Sequence, residues 1–282
     1  DQYLSQAQEN APERTLTTGM AQAQLLLLAR QHEAALASLQ PLRSQFPNHP
    51  RLLHLLAQIY QQLQDWDSLA RLVPELRKHK VLPEKDIDGI ELEAHRRLLL
   101  LPLPDGAGAV LRQAWNVVPP SLRRDPELVG IYARQLLAQK EHDECERLLS
   151  TTIENHWNDK LVHLYGLVAS SSPSAQLDTA MEWLTRYGDN PVVLLTLGRI
   201  CRRNQMPGRA REYLEKCIRL QGPVEAYHEL GRLLIQADEP QRALELWDGA
   251  LERYTKEIRA LQRAPAATSP ARPGRATTYY GY

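Results

Sequence analysis

Arginine returns at matching positions along this chain. Arg134, Arg199 and Arg232 each follow a small residue: Ala133, Gly198 and Gly231. Lys160, His163, Arg202 and His228 fall about a helical turn from the same kind of position. A guanidinium matches a carboxylate or phosphate in bidentate fashion, so a row of them is a candidate surface for an anionic group. The competing reading is that these arginines only solvate an exposed helix face. The corresponding positions elsewhere are Gln24, Gln58 and Leu167, with His54 nearby on the same face. The face is therefore neutral in the N-terminal half and basic in the C-terminal half.

Little else points to chemistry. Gly106 and Gly108 sit two apart, but Leu111 takes the place of the third glycine of a dinucleotide loop and no strand precedes them. There is no P-loop, no GxSxG, no HExxH and no CxxCH. The 9 histidines are scattered, and the one close His/Cys pair, His142 with Cys145, lacks a second pair to complete a zinc site. Glu91/Glu93 and Glu141/Asp143/Glu144 are the acids a solvated helix face carries. The expectation is a non-enzyme with no catalytic residue, no metal and no resident cofactor. Cys145, Cys201 and Cys217 are odd in number, lack framework spacing, and are expected to be free thiols in the core. They fit a reducing compartment.

The elements that would hold the arginine row are helices. Leu and Ala dominate, Phe46 is the single phenylalanine, and strand-forming aromatics are sparse. Lys+Arg and Asp+Glu balance at 34 each, which argues against a nucleic-acid partner. No apolar run approaches the roughly 18–20 residues of a membrane span, and no signal peptide is evident.

The pattern repeats. Gly198/Gly231, Ala210/Ala243, Leu214/Trp247 and Cys217/Ala250 are each 33 apart. Ala23/Ala57, Leu26/Tyr60, Ala35/Leu69, Leu39/Val73 and Leu42/Leu76 are 34 apart. That period marks tetratricopeptide helix pairs. A small residue midway along the first helix (Ala23, Ala57, Ala133, Gly198, Gly231) and another early in the second (Ala35, Cys145, Ala210, Ala243) permit close approach. Leu39, Leu149, Leu214 and Trp247 fill the space beside them. Such pairs bury their apolar faces only by stacking.

The expected fold is an all-α, right-handed helical solenoid over 1–262, with units near 16–49, 50–82, 126–157, 158–190, 191–222 and 223–255. An irregular hairpin over 84–120 links two sub-arrays. The unit at 158–190 is degenerate, with Gly166 and Ala180 at its small sites and a stretched SSSPS turn, Ser170–Ser174. Residues 263–282, rich in Pro, Ala and Thr with Arg263, Arg272 and Arg275 and no acid, are expected to form a disordered basic tail. The chain opens on Asp1 and is taken as a fragment or processed product.

Several stretches carry a resemblance to a known family: Asp65–Trp66 with Leu72–Leu76, Trp115 with Pro119, Pro126–Leu136, Leu161–Gly166, and above all Leu194–Ile218. Over roughly residues 1 to 255 the chain resembles the C-terminal tetratricopeptide region of the HemY family, inner-membrane proteins of Gram-negative bacteria associated with a late step of haem biosynthesis. The resemblance implies an N-terminal membrane anchor outside this sequence, repeats facing the cytoplasm, and a scaffold for haem-pathway enzymes with anionic segments. The alternative it leaves open is a carrier that binds porphyrin or haem directly in the basic groove, with His163 and His228 as candidate ligands. The same name is used for an unrelated flavin-dependent oxidase, from which the missing dinucleotide loop separates this chain.

Overall fold

The computed structural model describes the backbone of residues 11–263 and the side chains of 14–256. The expected basic tail, apart from Arg263, lies outside the described residues. The described chain is helical throughout, with fourteen α-helices and no strand. It divides into two compact units, up to Ser171 and from Ser172.

The first unit holds α1 (Ala11–Leu28), α2 (His32–Gln45), α3 (Pro50–Leu63), α4 (Trp66–Lys78), α5 (Glu84–Leu99), α6 (Gly108–Val117), a 3-10 turn at Leu122–Arg124, α7 (Pro126–Ala138), α8 (His142–Asn155) and α9 (Asp159–Tyr165). Successive helices pack on each other, and α1 also meets α3, as α7 meets α9. The sequence states where helices start. Pro50 and Pro126 occupy first-turn positions, where the missing N–H is harmless. The Asp65 carboxylate accepts the Ser68 N–H at 3.1 Å, and that of Asp125 accepts Glu127 and Leu128 N–H at 2.9 and 3.0 Å.

The small residues lie where helices touch. Ala23, Ala35, Ala133 and Cys145 are fully buried, as are Leu39 and Leu149. The irregular hairpin belongs to this unit: α5 packs on α4 and α7, and α6 packs on α7. Its loop is held by Gln139, which accepts Ala107 N–H at 2.9 Å and donates to the Pro104 carbonyl at 3.0 Å.

The boundary between the two compact units, Ser171–Ser172, falls inside the repeat unit expected at 158–190. One expectation for that unit is corrected. The first helix of that unit ends at Tyr165, so Gly166 is its C-terminal cap and not a mid-helix contact site. The following stretch is drawn to α8 instead: His142 Nδ1 accepts Ala169 N–H at 3.3 Å and Asp143 accepts Ser171 N–H at 2.9 Å.

The second unit holds α10 (Pro173–Tyr187), α11 (Pro191–Arg203), α12 (Pro207–Arg219), α13 (Glu225–Gln236) and α14 (Pro240–Arg263). Helix α11 is its centre, packed on α10, α12 and α13, and Val193 through Cys201 are all buried. Ala210 and Ala243 are fully buried against their neighbours. Cys145, Cys201 and Cys217 are buried free thiols. Burial pushes the Cys145 thiol up to about 12 and the Cys217 thiol up to about 11, so neither is a ready nucleophile.

A feature the sequence concealed is the turn inside five of the helix pairs. Arg30, Gln64, Lys140, Gln205 and Asp238 all have left-handed backbones, with φ between 58° and 61°. None is glycine, the residue that marks such turns. Relieving the Cβ penalty at one of them is worth roughly 1 kcal/mol. Gln64→Gly is therefore expected to raise stability slightly in urea titration, whereas Gln62→Gly, inside α3, should lower it by about 1 kcal/mol.

Candidate functional site

The seven residues of the expected basic groove fall in both units and differ in environment. In the first unit Arg134 on α7 and Lys160 on α9 are exposed, and His163 on α9 is half-buried. Gly130, one turn before Arg134, leaves room beside the guanidinium, since a Cβ there would lie 3.8 Å from Nη1.

In the second unit the expectation fails for Arg199. Its side chain is buried, at 5% exposure, and its Nε donates to Glu229 Oε1 at 3.2 Å. Arg202 is half-buried and brings Nε within 2.9 Å of Glu229 Oε2. The reason is the stacking itself. The face of α11 that carries Arg199 is covered by α13, and Glu229 on α13 sits opposite. Neither guanidinium is offered to an outside anion in the way the periodic pattern implied. Arg203, which the pattern did not single out, joins this cluster: burial, then the like charge of Arg202, brings its pKa down to about 10.

His228 and Arg232 are exposed on α13. They line a cleft of about 550 Å³ between α13 and α14, together with Val224, Tyr227, Trp247, Ala250, Leu251 and Tyr254. Leu251 and Tyr254 are 67% and 54% exposed, so the apolar wall is open to solvent. Its inner edge is fixed: Trp247 Nε1 donates to the Tyr227 carbonyl at 3.1 Å, and Arg253 donates to the Tyr227 hydroxyl at 3.3 Å. Gly231 permits this placement, because a Cβ there would clash with Trp247 Nε1 at 2.3 Å. The sequence supplied Gly231, Trp247, His228 and Arg232, but the apolar wall of α14 was missed. Its signal was Leu244, Leu251 and Tyr254 recurring on one helical face of a terminal element.

Chemically, the cleft can hold an apolar side chain or a flat ring, with a cation beside it for a carboxylate. No group of three or more metal-ligating side chains occurs among the described residues.

Residues 192–222, which span α11 and α12, match the tetratricopeptide repeat family model. No curated protein matches the sequence. Among solved structures, the chain is similar to the APC/C hetero-tetramer Cut9-Hcn1, at 14% identity and a TM-score of 0.43 over 86% of this chain and 54% of that one, so it spans about half of that protein's length. It is also similar to Acl4, the assembly chaperone of RpL4, at 18% identity and a TM-score of 0.29, covering 89% and 99% of the two chains. A third is BtubC from P. vanneervenii, at 17% identity and a TM-score of 0.28, covering 96% and 99%. The family match marks residues 192–222 as a tetratricopeptide repeat.

Proposed function

We propose that this chain is a non-enzymatic protein-interaction scaffold, and that the cleft between α13 and α14 docks a partner segment carrying an apolar anchor beside an acid. The observation that carries this reading is the joining, in one cleft of about 550 Å³, of Trp247, Leu251 and Tyr254 with Arg232 and His228. Aromatic and arginine side chains are the usual anchors of protein interfaces. Arg134, Lys160 and His163 are further cationic positions of the first unit in the same reading.

The resemblance to HemY supports a finer version. In it the scaffold gathers haem-pathway enzymes with anionic segments, for a late step of protohaem synthesis, at the inner membrane of a Gram-negative bacterium. The repeats face the cytoplasm, and the anchor lies in a segment N-terminal to this sequence. No helix among the described residues is long and apolar enough to cross a membrane.

The same cleft favours one second reading, a porphyrin or haem carrier. Trp247 and Tyr254 offer flat apolar surface, Arg232 suits a propionate, and His228 carries an imidazole of the kind that ligates haem iron.

One experiment separates them. Wild type and Arg232→Glu/Leu251→Asp are used to capture partners from a Gram-negative membrane extract, with mass spectrometry as the readout. Both residues are exposed, so the melting temperature is expected to stay unchanged. The scaffold reading expects haem-pathway enzymes with wild type and their loss with the variant. Equal recovery by the two proteins contradicts it. A saturable haem spectrum that His228→Ala abolishes, without any captured enzyme, establishes the carrier instead.

A further inference from the structure

A second cleft, of about 640 Å³, lies in the first unit and plays no part in the reading above. Its floor is an aromatic pair. The Trp115 ring stacks on Tyr132 with centroids 4.3 Å apart and planes 3° from parallel. The Tyr132 hydroxyl donates to Glu144 Oε1 at 2.6 Å, which locks the pair in place. Burial first, and this bond to a carboxylate second, raise the Tyr132 pKa, so the phenol stays a neutral donor.

The charge on the walls is one-sided. Arg123, Arg124 and Arg147 line the cleft, and Glu144 is the one acid among the lining residues. That acid is already engaged, by Tyr132 and by Arg112 Nη1 at 3.1 Å. Arg123 is fixed by donating to the carbonyls of Val118 and Asn116, both at 2.8 Å. Arg124 and Arg147 are exposed and have no ion-pair partner among the described residues. Asp143, one turn before Arg147, is held first by Ser171 and only secondarily attracted by the Arg147 charge. Asp125, next to Arg124, is committed to the α7 cap. His156, Thr151 and Asn155 add polar groups along the rim.

We propose that this cleft is a second docking site, for an acidic segment of a partner polypeptide bearing two or more carboxylates. Three arginines against one already engaged acid suit a segment that brings more than one carboxylate, each able to take a guanidinium. The volume lies within the range of about 300–1,000 Å³ usual for ligand clefts.

The test uses the full chain and a fluorescein-labelled hexaglutamate peptide, read by fluorescence anisotropy. Wild type is expected to bind saturably and more weakly as salt rises. Arg124→Glu/Arg147→Glu should weaken binding by about tenfold or more, and Arg124→Gln/Arg147→Gln should weaken it less. Arg232→Glu, in the other unit, should leave it unchanged. Melting curves confirm that each variant is folded. Inorganic phosphate, added against sodium chloride at equal ionic strength, separates the two kinds of anion. The proposal is overturned by undiminished binding of the Arg124/Arg147 variants, by loss of binding in Arg232→Glu, or by displacement of the peptide by phosphate.

Discussion

Glu229→Ala is expected to destabilise the second unit by about 3–5 kcal/mol, the usual consequence of stripping one partner from a buried ion pair. The carboxylate is the acid that both Arg199 and Arg202 address, at 3.2 and 2.9 Å. Its removal takes a carboxylate partner from Arg199, which is 5% exposed and lies in a cluster with Arg202 and Arg203. Arg199→Glu should be nearly as damaging, since it sets two carboxylates against each other. That substitution therefore probes folding and not partner capture. Urea titration followed by circular dichroism gives the size of the loss. Arg199→Met/Glu229→Met should recover much of it, because a packed apolar pair replaces a buried ionic one at little cost. Equal losses in the single and double variants would show that the pair is not what holds this contact.

The second large effect is expected at the close approach of α11 and α12. A Cβ at Gly198 would lie 2.6 Å from both Cδ2 and Cγ of Leu214. Alanine is the better helix former by about 1 kcal/mol, so propensity alone would stabilise Gly198→Ala. Overpacking is expected to win, with a net loss of roughly 1–3 kcal/mol. Leu214→Ala in the native background should cost about 2–5 kcal/mol, as other core truncations do. In the Gly198→Ala background the same truncation should cost clearly less, because the leucine being removed is the clashing one. Additive losses in this double-mutant cycle would place the two residues out of contact.

These two results trace what could be read in the sequence. Gly198 with Leu214, and Gly231 with Trp247, were legible because residue size at a fixed period encodes how near two helices come. Burial of the three cysteines was legible on the same grounds. The fate of Arg199 was not. Arg199 and Arg232 have the same side chain 33 residues apart, yet one is buried and the other exposed. Periodicity assigns a helical face, but it does not say whether a neighbouring helix covers that face. The missing signal was Glu229, which stands where the preceding repeat has Thr196 and pairs with the buried Arg199. The left-handed turn residues were hidden because they are Arg, Gln, Lys and Asp. The short α9 was hidden because the repeat pattern carried the helix through Gly166, whereas the chain beyond it bonds to His142 and Asp143. The arginine-lined cleft escaped because Arg123 and Arg124, in the 3-10 turn after the hairpin, share no period with Arg147 on α8.

The scaffold reading rests on the α13–α14 cleft, and site-specific photo-crosslinking there tests it most directly. A benzophenone amino acid is placed at Tyr254, in the wall of the cleft, or at Glu212, exposed on α12. Each protein is irradiated in Gram-negative cells, and the adducts are identified by mass spectrometry. The account predicts a discrete protein adduct from position 254, lost when Arg232→Glu is added, and none from position 212. Adducts of equal yield from both positions, or none from position 254, would contradict it.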